Sequence, residues 1–156
     1  MTNKKIVIGT IGSDAHMIGG WVLTRAFRDA GFSVAFLGAV VPQEDFVNAA
    51  IETAADAILV SSMYGMGILD CEGLRDRCIE AGLKDIVLYA GGTVVAPLEL
   101  EKNWGEVERR FKEMGFNRVF PNTVTAGEVV TILKQDLGVP DAAVPDAERE
   151  AAASPR

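Results

Sequence analysis

Histidine is all but missing from this chain: one, His16, stands among 156 residues, with only two cysteines. That scarcity argues against a zinc site built from protein ligands alone, which takes three or four of them. Cys71 and Cys78 fall in a stretch with helical patterning, about 10 Å apart along the axis and out of disulfide reach. They read as small buried or half-buried thiols in a reducing cytoplasm. Aromatic residues are scarce at 7% while hydrophobic residues reach 49%. The core is therefore mostly Ala, Val, Ile and Leu, as in a sheet buried on both faces. Basic residues are outnumbered, 15 Lys and Arg against 22 Asp and Glu. The resulting charge of −7 argues against a basic stripe for DNA or RNA, so no nucleic-acid partner is expected. Long apolar runs are also lacking. The one behind Lys4 and Lys5 spans about six residues, too short for a signal peptide or a membrane span. A cytoplasmic protein without a membrane partner is the expectation.

What the chain has in quantity is alternation. Residues 5–11 form an apolar strand-like run, and Ile18, Val22, Ala26 and Phe27 then recur at helical spacing until Gly31. Trp21 is expected in the core. A second strand is expected over 33–38, and Pro42 opens a second helix with Phe46, Ala49, Ala50 and Ala54 on its apolar face. Residues 57–62 are apolar up to two closing serines and read as a central strand. A third helix is expected over 70–81, with Asp70 as its N-cap and Gly82 as its stop. Strand four, 85–90, runs into Gly91-Gly92-Thr93; helices over 104–114 and 126–137 flank a fifth strand at 117–120. Five βα repeats with short connections imply a flavodoxin-like, doubly wound α/β domain: a five-stranded parallel sheet of order 2-1-3-4-5. The domain is assigned to 1–138. Beyond it, Pro140, Pro145 and Pro155 punctuate Ala, Asp and Glu, so 139–156 read as a disordered acidic tail, with docking on a partner as the alternative.

In that strand order the chain reverses between strands one and three, and ligands bind at the carboxyl edge of such a crevice. The loops meeting there carry Ser13, Asp14 and His16, then 61–67, then 91–93. Asp14 and His16, two apart, project to one side of an extended backbone. Asp14 can then accept from one imidazole nitrogen and leave the other to ligate a metal; a solvated turn is the competing reading. A lone histidine ligand suits a metal that arrives inside a macrocycle. Gly91-Gly92 lets a ligand approach the backbone closely, and Ser61 and Ser62 can donate hydrogen bonds. Met17, Ile18 and Trp21, with Met63, Tyr64 and Met66 opposite, can form an apolar rim. Two rival uses of the fold fit poorly. A phosphoacceptor receiver needs an aspartate where Ser61-Ser62 stands and usually a lysine near Pro121-Asn122. A flavin phosphate would meet the acid Asp14.

Asp14-Ala15-His16-Met17-Ile18-Gly19 resembles the D-x-H-x-x-G motif of cobalamin-binding domains. With Ser61-Ser62-Met63, Gly91-Gly92, Asp70-Cys71 and Arg110-Phe111-Lys112, the chain is similar over about 5–137 to the small (sigma) subunits of coenzyme B12-dependent glutamate mutase. The resemblance implies adenosylcobalamin held base-off, with His16 as the lower cobalt ligand and Asp14 as its hydrogen-bond partner. It adds Ser13, Met17, Ile18 and Gly19 to the cofactor site from the first loop. From the second and third loops it adds Ser61, Met63, Tyr64 and Gly65, then Gly91, Gly92 and Thr93. Met63 stands where leucine is common, and 121–124 are only loosely similar.

The implied chemistry is the radical rearrangement of (S)-glutamate to (2S,3S)-3-methylaspartate. A domain of this size has no room to enclose both cofactor and amino acid. A larger (β/α)8 barrel subunit is expected to bind the glutamate, with no catalytic residue in this chain. Two alternatives share the motif: the corrinoid protein of a methyltransferase system, whose helical cap ahead of the first strand is not expected here, and a cobalamin carrier or sensor.

Overall fold

The structure, a computed structural model, describes residues 3–13, 15–63, 65–94 and 103–140. Strand β1 (Lys5–Thr10) sends Ile6 and Ile8 to one side of the sheet and Val7 to the other, as the two-residue period of a strand requires. Helix α1 (Ile18–Asp29) leads to β2 (Ser33–Phe36), α2 (Gln43–Thr53) to β3 (Ala57–Ser62), and two short helices, α3 (Gly67–Asp70) and α4 (Leu74–Glu80), to β4 (Val87–Gly92). Helix α5 (Trp104–Glu113), β5 (Arg118–Phe120) and α6 (Ala126–Asp136) complete the described elements. All strand pairs are parallel, in the order β2-β1-β3-β4-β5, as the alternation of the sequence implies.

Two apolar layers follow from the pleat. Ile6, Ile8, Leu59 and Tyr89 pack under α1 and α6, through Phe27, Val129, Val130 and Leu133. Val7, Ile58, Val60 and Leu88 pack under the remaining helices, through Phe46, Leu74 and Phe111. Each such fully buried side chain contributes about 1.5–3 kcal/mol relative to exposure. Strand β3 is buried along its whole length, as a central strand must be.

Local departures from the sequence expectations have physical causes. Ile11 leaves the ladder and makes a single bridge to Val41, which shortens β1 by a residue. The expected third helix is broken, because Gly73 adopts φ +87°, a left-handed backbone that no helix interior accommodates. Asp70 therefore ends α3 rather than capping a longer helix. Cys71 and Cys78 are buried free thiols, and burial pushes both up from the ordinary thiol range.

Helix α1 also turns differently. Gly20, Thr24 and Phe27 face inward, and a Cβ on Gly20 would stand 2.6 Å from the Phe36 ring, so the helix lies close on β2. Trp21, one position or about 100° further round, is 54% exposed and rests beside Phe36 at 5.2 Å between ring centroids. Trp21 is thus exposed and not in the core. Ile18 and Val22, expected on the core stripe, are exposed as well, Ile18 at 79%.

Candidate functional site

The loop that leaves β1 is stitched to the segment after β2 and to β3. Thr10 N–H donates to Gly38 O and Gly12 N–H to Val41 O, each at 2.8 Å, while Ile11 N–H donates to Ser61 O at 3.1 Å. At its far end the completely buried Thr10 donates its hydroxyl to the carbonyl oxygen of His16 at 2.7 Å. The His16 side chain is left exposed directly before α1, whose first-turn N–H of Trp21 donates to Met17 O at 3.0 Å. Ser13, Met17 and Ile18 are exposed around it. Asp14 and Tyr64 lie outside the described residues. Among the described residues no three His, Cys, Asp or Glu side chains are grouped so as to hold a metal ion.

Beside this loop, on the α1 and α6 face of the sheet, lies a cavity of about 260 Å³. Its floor is Leu59, Ser61, Tyr89 and Gly91; Gly19, Val22 and Leu23 of α1 form one wall, and Val124, Ala126 and Val129 the other. Met63, Gly92 and Asn122 also line it. The cavity lies over the carboxyl halves of β3 and β4, one strand across from the β1 and β3 crevice. Glycine shapes it. A Cβ on Gly19 would come only within 3.5 Å of Ser61 Oγ, and one on Gly91 within 3.6 Å of Phe120 O. Those are ordinary contacts, so a side chain at either place would fill free space rather than strain the fold.

The serines part company. Ser61 faces the cavity, whereas Ser62 points to the opposite layer, where its buried Oγ lacks a partner among the described residues and a Cβ on Gly67 would stand 2.9 Å away. The second and third loops are tied together, Gly65 N–H to Thr93 O at 3.0 Å and Asn122 Nδ2 to Thr93 Oγ1 at 3.2 Å. Gly65 and Thr93 thus brace the site without lining the cavity. Of the expected residues, Gly19, Ser61, Met63, Gly91 and Gly92 converge on the cavity. Sequence reasoning missed Thr10, Leu23, Tyr89, Phe120 and Val129, which look like ordinary core residues until the topology places them.

An exposed histidine thus stands on a pinned loop, and the helix that follows it borders an apolar cavity with bare backbone at two glycines. The family model of the B12 binding domain matches residues 4–112. The glutamate mutase sigma subunit of Clostridium tetani is 50% identical over 139 residues, covering 89% of this chain and 99% of that subunit. The glutamate mutase sigma subunit of Escherichia coli O157:H7 is 47% identical, covering 88% and 90%. A cobalamin-binding protein from Desulfitobacterium hafniense shares the fold, with a TM-score of 0.69 at 22% identity over 85% of this chain and 58% of that one. The chain belongs to the family of glutamate mutase sigma subunits, within the B12-binding domains.

Proposed function

We propose that this chain is the cobalamin-binding subunit of a glutamate mutase, holding adenosylcobalamin through His16 and the cavity. The observation that carries the reading is that α1, which begins two residues after the exposed His16, lends Gly19 to an apolar cavity floored by Ser61 and Gly91. The residues present fit the cofactor. Gly19 and Gly91 leave room for a flat ring against the backbone, Leu23, Leu59 and Val129 offer apolar contact, and Ser61 offers a hydroxyl. His16 is the metal ligand in this reading and Asp14 the carboxylate that orients its ring. Thr10 holds the backbone of that arm. When bound, the cofactor supplies homolysis of its cobalt–carbon bond.

The chain's own part is to bind, orient and exclude water. Its exposed apolar rim, Met17, Ile18 and Trp21 on one side and Met66 on the other, suits the surface of the catalytic partner subunit. That partner, read as a (β/α)8 barrel, binds glutamate and covers the cofactor; no catalytic group is assigned to this chain. Among the described residues no helix is long and apolar enough to cross a membrane, and a cytoplasmic location fits the free thiols. The domain is taken as 1–138, with 139–156 as a tail outside its core.

Mixing the protein with adenosylcobalamin and a competent partner subunit should convert glutamate to 3-methylaspartate. Cofactor binding without turnover would favour a carrier or sensor instead. Asp14→Asn should weaken cofactor binding by about 10–100-fold, and wild-type affinity would remove its orienting role.

A further inference from the structure

Behind the floor of the cavity lies a polar arrangement that an apolar floor does not need. Tyr89 of β4 is 1% exposed, and its ring lines the cavity edge-on to Phe120, with centroids 5.3 Å apart. Its register partner across β4 and β5 is Arg118. Both reach one carboxylate, that of Asp136, the last residue of α6. The Tyr89 hydroxyl donates to Asp136 Oδ2, while Arg118 donates from Nε to Oδ2 at 2.7 Å and from Nη2 to Oδ1 at 3.0 Å.

Helix physics alone does not favour an acid there, since the C-terminal end of a helix carries partial negative charge. A phenylalanine at 89 would floor the cavity equally well without burying a hydroxyl. Satisfied polar networks of this kind fix geometry. The geometry fixed here has two ends. One is the Tyr89 ring, on the cavity floor. The other is the C-terminus of α6, a helix whose first residues, Ala126 and Val129, form a wall of the cavity.

We propose that Tyr89, clamped by Asp136 and Arg118, is a positioning residue for a planar aromatic base inserted into this cavity, setting its depth and the spacing between α6 and the sheet. The proposal rests on the cobalamin reading above and takes that base to be the one on the nucleotide tail of the base-off cofactor.

The test compares two probes, adenosylcobalamin and adenosylcobinamide, which lacks the nucleotide and its base, titrated into the unaltered protein, Tyr89→Phe and Asp136→Asn. Each variant should lose about tenfold in affinity for adenosylcobalamin, as one hydrogen bond warrants, and keep its affinity for adenosylcobinamide. A clamp that only stabilises the fold would lower Tm and leave the ratio of the two affinities unchanged, which overturns the proposal. Tyr89→Phe keeps the ring and removes one oxygen, so it does not depend on a fragile variant. If the unaltered protein shows no preference for the complete corrinoid, the tail does not use the cavity. The cobalamin-tail reading then fails, and the clamp proposal with it, a result recognisable because it needs no substitution.

Discussion

The hydroxyl of Thr10, last residue of β1, donates to the carbonyl oxygen of His16 at 2.7 Å, joining the rigid sheet to the exposed histidine. Because Thr10 is fully buried, it has no rotamer freedom to lose on binding and fixes the loop in advance. Thr10→Val preserves shape and removes the donor, leaving a carbonyl with one partner fewer. The expected loss is about 1 kcal/mol in cofactor binding, roughly fivefold in Kd by titration, with recovery in Thr10→Ser. Unchanged affinity in the valine variant would show that the loop is held by other contacts.

Gly91 and Gly92 predict opposite outcomes for one added methyl group. Gly92 adopts φ +97°, and a Cβ there would stand 2.5 Å from Ser62 O and 2.6 Å from Met63 Sδ. Gly92→Ala should therefore destabilise the fold by about 1–3 kcal/mol, read by urea unfolding. Gly91→Ala meets nothing closer than 3.6 Å, so stability should hold within about 0.5 kcal/mol while adenosylcobalamin affinity falls. Equal effects on stability would remove the distinction between a strained turn and a cavity wall.

Most of this fold can be read from the sequence because strands and helices alternate with clear periods. Residues 57–62 are a strand in both views, and the strand order follows from the crossovers. The site is only half legible. His16, Gly19, Ser61 and Gly91 are marked by their type and by the loops that carry them. Tyr89, Phe120 and Val129 are not, since an apolar cavity wall and an apolar core use the same residues. Trp21 and Ile18 mislead for a related reason: α1 carries more apolar surface than the sheet can cover, and the excess is left exposed. The break at Gly73 is invisible to periodicity because Leu74 and Cys78 keep the helical spacing beyond it.

The clamp at the far end of α6 carries a pH dependence of known sign. The Arg118 guanidinium, helped by the Tyr89 hydroxyl, holds the Asp136 carboxyl below the usual carboxylate range against the opposing effect of burial. A lowered folded pKa means that the stabilisation is present in full above the ordinary carboxylate value and is lost as pH falls through the lowered one. Arg118 is nearly half exposed, so screening limits the pair to about 1 kcal/mol or less. Urea unfolding of the unaltered protein and Asp136→Asn should differ at pH 7 and converge in acid. A difference that stays constant with pH would mean that charge plays no part.

Arg75 supplies a control remote from the cavity. It donates to Gly115 O at 2.9 Å, to Ile86 O at 2.7 Å and to Asn117 Oδ1 at 3.0 Å, tying α4 to the turns around β4 and β5. Arg75→Ala should cost about 2 kcal/mol of stability and leave cofactor affinity unchanged in the folded protein. Lost affinity at full folding would indicate that the cavity is shaped from both faces of the sheet.

The most direct measurement of the central claim is the EPR spectrum of cob(II)alamin bound to protein whose single histidine carries nitrogen-15. If His16 is the axial ligand, the superhyperfine pattern changes from the splitting expected of nitrogen-14 to that of nitrogen-15. An unchanged spectrum, with the corrinoid bound, would contradict it.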